Sequence, residues 1–458
     1  MASWVAEEIR GTELPDVRLE EGLVLMVERL AAQPEVSIPQ AMGSWTDTKA
    51  AYRFLDSDRV SPEAIRAGHV QSCVKRVGSQ SRVLIVQDTT TLDFTHHPGT
   101  KGLGYLDHPS LRGLVMHTGL ACTVEGVPLG ILTQDIWVRD PDNLGKSEDR
   151  RKRRFGDKES AKWVKALQAA FVAVPESIET VTVADSEADV FELFAAERPA
   201  KAHLLVRATH NRRVEGEVGY LWQEVGASPV RGEIRVELEA TEKRAARIAR
   251  CEVCFHPVIV RPPRNPSPGQ HRQAISLQAV LVLEEDAPEG VEPLCWLLLT
   301  TLRVESFADA LQCVKYYGLR WLVERYHLVL KSGCRVERLQ LETAERIGRA
   351  VAAYSLVAWR LLWLTYEARK SPEASCECAL EPQEWQSLYC TTHKTRIPPS
   401  EPPTLRQAVR WIAQLGGFMG RKGDGEPGVM VLWRGLRRLE DIASTWLLLY
   451  HTKDVGNA

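Results

Sequence analysis

Between residues 82 and 194 the hydrophobic pattern switches repeatedly between strand and helix periods, and that alternation limits the chain to a layered α/β architecture. Val83-Leu84-Ile85-Val86 reads as a buried strand ending in Asp88 and three threonines. Gly113–Val124 and Val127–Val138, joined by Glu125-Gly126, predict an antiparallel hairpin. Glu159–Val172 then reads as a helix, Val181–Ala184 as another short buried strand and Ser186–Phe194 as a helix. Strand, hairpin, helix, strand, helix is α/β in character.

The flanks differ. Residues 1–70 read as helical, with an amphipathic stretch over Leu19–Leu30, a second over Thr46–Phe54 and a helix start at Ser61-Pro62-Glu63. Residues 203–304 read as β-rich, with strands near Glu233–Leu238, Ile248–Val260, Ile275–Leu283 and Leu294–Leu302. Helices return over Ser306–Leu330 and Ala344–Ala368. The stretch 371–402, rich in Pro, Cys, Ser and Glu, reads as a linker. Leu405–Leu415, closed by Gly416-Gly417, and Leu436–Tyr450 read as terminal helices. A length of 458 residues predicts about three domains, and 44 % apolar with 26 % charged residues marks a folded chain. The N-terminus lacks the features of a secretory signal, and no apolar run is read as approaching the roughly 18 residues of a membrane span, so a cytosolic location is expected. The 10 scattered cysteines suit free thiols better than a disulfide framework.

Net charge is −2, which by itself leans away from a polyanionic partner. The segments are unlike one another. Residues 1–70 hold 7 basic and 12 acidic side chains, 146–165 hold 9 and 4, 207–273 hold 12 and 8, and 315–349 hold 8 and 4. Asp88 and Asp185 follow buried strands, where α/β sheets collect functional groups. Each also has a bland reading: Asp88 as a partner for turn amides, and Asp185 as shelter for a helix start in Ser186-Glu187-Ala188-Asp189. Tyr317, Arg320, Glu324 and Lys331 are spaced to share one face of a single helix, either as a solvated face with an Arg320–Glu324 ion pair or as a functional stripe. Two strand-borne aspartates with a helix-borne glutamate form a carboxylate triad suited to two magnesium ions, the chemistry of phosphoryl transfer on nucleic acid. Arg320, Lys331 and Tyr317 would then serve phosphates.

The string Tyr317-x2-Arg320-x3-Glu324-x6-Lys331 resembles the signature of cut-and-paste DDE transposases of the insertion-sequence-four group, Tn-five type. Other pieces match in the same order: Ala51-Tyr52-Arg53-Phe54, Asp88-Thr89-Thr90, Arg112-Gly113 with His117, Asp157-Lys158-Glu159-Ser160, Asp185 with Glu187-Ala188-Asp189, Trp296-Leu297-Leu298-Leu299-Thr300 and Leu415-Gly416-Gly417-Phe418-Met419. The resemblance implies a helical DNA-end-binding domain over 1–70 and a ribonuclease-H-like catalytic domain over 71–370 with a β-rich insertion at 203–304. A linker and helical dimerisation domain over 371–458 would complete the chain. It further implies Asp88, Asp185 and Glu324 as ligands of two Mg2+ ions, with Mn2+ as a substitute.

The activity so implied nicks the element ends, forms and reopens a DNA hairpin, and joins 3′ ends to target DNA. Its partners would be double-stranded DNA, carrying inverted repeats at the ends, and a second copy of the chain in a paired-end complex, in the bacterial cytosol. Trp296 would be the aromatic platform for an unstacked base, with a core tryptophan as the plainer reading. Arg207, Arg212 and Arg213 would be phosphate contacts, and Lys49, Arg53 and Arg59 would form the DNA-facing patch of the acidic first domain. Ser186 departs from the family, which carries a basic residue there. Arg150–Arg154 reads either as a DNA-backbone clamp or as a solvated loop. A zinc site at Cys376, Cys378, Cys390 and His393, or at Cys251 and Cys254, competes with ordinary reduced cysteines. Two alternative functions stand beside the transposase: a catalytically silent DNA-binding regulator, and a metal-dependent nuclease without strand transfer.

Overall fold

The computed structural model describes residues 3–140, 142, 153–238, 246–264 and 271–451. Five helices open the chain: α1 (Trp4–Glu8), α2 (Val17–Ala32), α3 (Ile38–Met42), α4 (Trp45–Leu55) and α5 (Pro62–Gly78). Side-chain caps start four of them, at Ser3, Asp16, Ser44 and Ser61, each oxygen accepting an otherwise unpaired first-turn N–H. The proline read as a helix start is the first residue of α5.

The sheet begins with β1 (Arg82–Asp93), β2 (Gly104–Tyr105), β3 (Arg112–Thr123) and β4 (Pro128–Trp137). After α6 (Ala161–Ala173) come β5 (Glu179–Ala184), the short α7 (Phe191–Ala195) and β6 (Ala202–Arg207). β3 pairs antiparallel with both β4 and β1, whereas β5 pairs parallel with both β1 and β6. The segment read as a β insertion comprises β6, β7 (Val214–Glu215), α8 (Leu221–Gly226), β8 (Gly232–Leu238), β9 (Arg247–Val260), β10 (Ile275–Glu284) and β11 (Cys295–Thr300). It is not a separate layer. β11 pairs with β6, so these strands extend the central sheet into a mixed sheet of 11 strands.

Two single-element expectations are corrected beyond this point. The helix read over Ser306–Leu330 is α9 (Phe307–Gly318), a break at Leu319, α10 (Trp321–Leu328) and a π-helical turn over Val329–Gly333. The stretch read as a linker contains a 3-10 turn at Cys376–Cys378 and a full helix, α12 (Pro382–His393), after α11 (Ala344–Lys370). Pro382 lies in the first turn, where its missing N–H costs nothing, and Glu381 with Glu384 closes a capping box. The terminal pair is α13 (Leu405–Leu415) and α14 (Val429–His451).

The 27-residue α11 is the spine of the molecule, buried along most of its length. Contrary to the expectation that no apolar run approaches a membrane span, it contains an 18-residue stretch apolar enough to cross a membrane, and most of that stretch is buried in protein. Arg349 donates from Nε to the Val60 carbonyl at 2.7 Å and from Nη1 to the Leu55 carbonyl at 2.9 Å, tying α11 to the N-terminal helices. Trp359 Nε1 donates to the Pro128 carbonyl at 3.2 Å, tying it to the sheet, and Leu364 and Ala368 join the core of the C-terminal helices. Val5, Leu23, Phe54, Leu84, Val86, Tyr326 and Trp359 share one apolar core, so the N-terminal helices are packed onto the sheet and α11.

A buried carboxylate fixes that packing. Glu8 accepts from His69 Nδ1 at 2.6 Å and from both terminal nitrogens of Arg76 at 2.7 and 2.8 Å. Burial alone would raise its pKa, but the bonds from His69 and Arg76 outweigh burial and hold it at about 2. A carboxylate lowered on folding stabilises above its unfolded pKa, and that stability is lost as pH falls through the folded value. The expected result is a melting temperature that drops between about pH 4.5 and pH 2, with the drop reduced in Glu8→Gln. Thermal unfolding of both proteins across that range checks it.

Candidate active site

Asp88 does not end its strand, as the sequence suggested. β1 runs on to Asp93, paired all along with β3, while its parallel partner β5 stops where Gln87 faces Ala184. Asp88 and Asp185 are therefore the next residues along two adjacent strands, at the point where their pairing ceases. Alternation puts Asp88 on the face of Leu84 and Val86, towards α9 to α11, and the register sets Thr118 directly opposite it. Asp185 is exposed enough to act as a cap, its Oδ1 accepting the Glu187 N–H at 2.9 Å. The bland reading of Asp185 is thus also realised.

Glu324 reaches the same place from α10. Burial and the nearby Asp185 carboxylate push the Asp88 carboxyl up to about 7, with Glu324 acting in the same direction. The Thr89 backbone N–H and the Arg320 guanidinium oppose them. Three carboxylates from three elements thus share one field. Among the described residues, however, no three His, Cys, Asp or Glu side chains are gathered closely enough to hold a metal ion. Glu324 is turned to Arg320, with which it forms a tight ion pair.

The helix break moves the signature residues apart in orientation. Tyr317, in the last turn of α9, is buried edge-on to Trp296 with ring centroids 5.3 Å apart. Arg320 caps α10, its guanidinium over the Tyr317 ring and over the half-exposed ring of Trp321, and its Nε is buried without a hydrogen-bond partner. Lys331, in the π-helical turn, donates to the Thr91 carbonyl at 2.9 Å and lies 3.2 Å from Glu337. The four residues face one region but do not form a single helical stripe.

Arg207 donates to the Cys295 carbonyl at 3.2 Å and lies beside Tyr317, so it borders the site. Arg212 does not serve as a free phosphate contact. Its guanidinium pairs at 2.7 Å with fully buried Asp189, whose other oxygen accepts the N–H groups of Thr209 and His210 at 2.8 Å. Arg213 is likewise turned to the Pro262 carbonyl. Of the basic run at 150–154, only Arg153 and Arg154 lie within the described residues. The proposed zinc ligands do not gather: His393 stacks on Tyr389 and faces Trp411, while Cys376 and Cys390 are buried apart from any metal-holding group among the described residues.

Two residues were missed in the sequence. Trp45 opens α4 and is 78 % exposed. With Lys49 and Arg53, four and eight residues on, it forms one exposed stripe opposite buried Thr48, Ala51 and Leu55, and among the described residues neither cation forms an ion pair. That four-residue spacing was the available signal. The other is His327, one turn beyond Glu324, which is 5 % exposed and approaches Asp88.

Residues 1–60 match the family described as Transposase DNA-binding, and residues 356–445 match the Transposase Tn5 dimerisation domain. A DNA-binding segment carrying the α4 stripe and a dimerisation segment starting within α11 thus flank, along the chain, the sheet and its carboxylates. The two matches support a transposase of the Tn5 type, with which the insertion-sequence-four grouping is consistent.

Proposed function

We propose that this chain cleaves element ends and joins them to target DNA through Asp88, Asp185 and Glu324. The observation that carries the reading is the convergence of these three carboxylates, from β1, the end of β5 and α10, in one field flanked by a DNA-binding and a dimerisation segment. The strand order β4-β3-β1-β5-β6, three antiparallel strands followed by two parallel ones, supports a ribonuclease-H-like core.

The donor set is oxygen alone and fits a hard divalent cation such as Mg2+, and burial, with the neighbouring Asp185 and Glu324 carboxylates, raises the Asp88 carboxyl. Asp88, Asp185 and Glu324 would hold the metal, Glu324 by releasing Arg320. Bound there, it would lower the pKa of an attacking hydroxyl and stabilise the leaving oxygen. The protein's own groups position the DNA. Arg320 and Lys331 would take phosphates beside the scissile bond. Trp296, packed edge-on against Tyr317, offers a face for an unstacked base during hairpin formation.

End recognition is assigned to the α4 stripe. Lys49→Ala is expected to weaken binding evenly across sequences and to reduce the slope of log affinity against log salt by about one. Trp45→Ala is expected to cost about 1–3 kcal/mol of end binding, the range for aromatic stacking on bases, with the slope unchanged. Binding titrations at several salt concentrations separate the two. Reading the DNA that flanks the gene for terminal inverted repeats supplies the substrate. Incubating it with the protein, Mg2+ and a target plasmid tests the function, since joined products support the transposase and hydrolysed ends alone support a nuclease.

A further inference from the structure

Beneath Asp88 lies a line of buried polar side chains that the chemistry above does not use. His327 Nδ1 is 3.7 Å from Asp88 Oδ2, just beyond hydrogen-bond range, and its Nε2 is 3.3 Å from Thr118 Oγ1. Thr118 is the residue paired across from Asp88, and it is fully buried. Gln134 Nε2 reaches Thr118 Oγ1 at 3.5 Å and the Tyr326 hydroxyl at 2.9 Å, and Ser355 Oγ lies 3.1 Å from Gln134 Oε1. These groups come from β3, β4, α10 and α11, and Gln134 and Ser355 are also almost or wholly buried.

Polar groups in an apolar core cost free energy unless they are partnered, so a line of them needs a destination. The donor directions supply it. Gln134 carries N–H donors, so Thr118 Oγ1 accepts from it and turns its own hydrogen to His327 Nε2. The imidazole is then the tautomer with its hydrogen on Nδ1, aimed at Asp88.

We propose that His327 is a positioning residue, held by Thr118 and Gln134, that fixes the Asp88 carboxylate in the orientation needed to receive a divalent cation. The inference rests on the reading of Asp88 as a metal ligand. His327 sits one helical turn from Glu324, so a single helix presents one carboxylate directly and orients another. The role is that of the outer partners that orient metal ligands, whose loss typically costs about 10- to 100-fold.

The test uses the full chain with Mn2+ as probe, followed both by end cleavage and by the metal-induced rise in melting temperature. His327→Leu is expected to lower cleavage about 10- to 100-fold and to raise the Mn2+ concentration for half the thermal shift by a similar factor. His327→Asn, whose side-chain N–H falls where Nδ1–H lies, is expected to recover most of both. Thr118→Val, nearly isosteric, is expected to move both readouts in the same direction by less, and it stands in for His327→Leu should that variant fail to fold. Wild-type cleavage and Mn2+ response in His327→Leu and Thr118→Val, or equal losses in His327→Leu and His327→Asn, would overturn the proposal. Asp88→Asn separates the two layers. If it still cleaves, the reading of Asp88 fails; if it is silent while His327→Leu keeps wild-type activity, only the role of His327 fails.

Discussion

Asp88→Asn and Glu324→Gln are each expected to reduce end cleavage by at least about a thousandfold while leaving end-DNA affinity unchanged. The magnitude follows from removing an anionic ligand whose cation would supply several kcal/mol of charge stabilisation in the transition state. The separation from binding follows from distance in the fold. The α4 stripe of Trp45, Lys49 and Arg53 lies on the N-terminal helices, whereas Asp88 lies on the central strand β1 and Glu324 on α10. Gel-shift titration and cleavage of the same labelled DNA give both quantities in one preparation. Retained cleavage in either variant would remove that residue from the chemistry, and lost binding would show that the substitution disturbed the fold.

The second large effect concerns stability. Asp189→Ala is expected to destabilise the protein by about 3–5 kcal/mol, because it strands the partly buried Arg212 guanidinium without its carboxylate. It also releases the N–H groups of Thr209 and His210, which both rest on Asp189 Oδ2. Arg212→Ala is expected to destabilise in the same way, and to leave the salt dependence of DNA binding unaltered because the guanidinium is committed within the protein. Chemical denaturation measures the first quantity. A drop of about one in the salt slope for Arg212→Ala, with stability intact, would restore the phosphate-contact reading.

That case illustrates what the sequence conceals. Arg212 stands beside Arg213 at the start of a basic stretch, and nothing local marks its partner, which lies 23 residues earlier. The strand Val83–Val86, the hairpin around Glu125-Gly126 and the long helix from Ala344 were legible because each carries its own periodicity and turn or cap residues. The end of β1 was not. Asp88-Thr89-Thr90-Thr91 looks like a strand terminus because these residues are only half-buried, but the cause is that β5 stops beside them while β3 continues.

The apolar pattern through Tyr316–Leu330 reads as unbroken, so the boundary at Gly318 passed unnoticed although glycine disfavours a helix interior. Pro382 misled in the opposite sense, taken as part of a linker when it begins a helix. Motif spacing singled out Asp88, Asp185 and Glu324, which come from three elements and act on one another's charge. What spacing could not give was Glu324 turned to Arg320, Lys331 engaged with Thr91, and a histidine reaching Asp88 from within the core.

Cutting and joining of DNA at one carboxylate centre is tested most directly by incubating the protein with its paired inverted-repeat ends, a supercoiled target plasmid and Mg2+, and resolving the products on denaturing and native gels. Hairpin-ended intermediates followed by ends joined to the plasmid are expected, both absent in Glu324→Gln. Hydrolysed ends with no joined plasmid, or joined products that persist in Glu324→Gln, would contradict it.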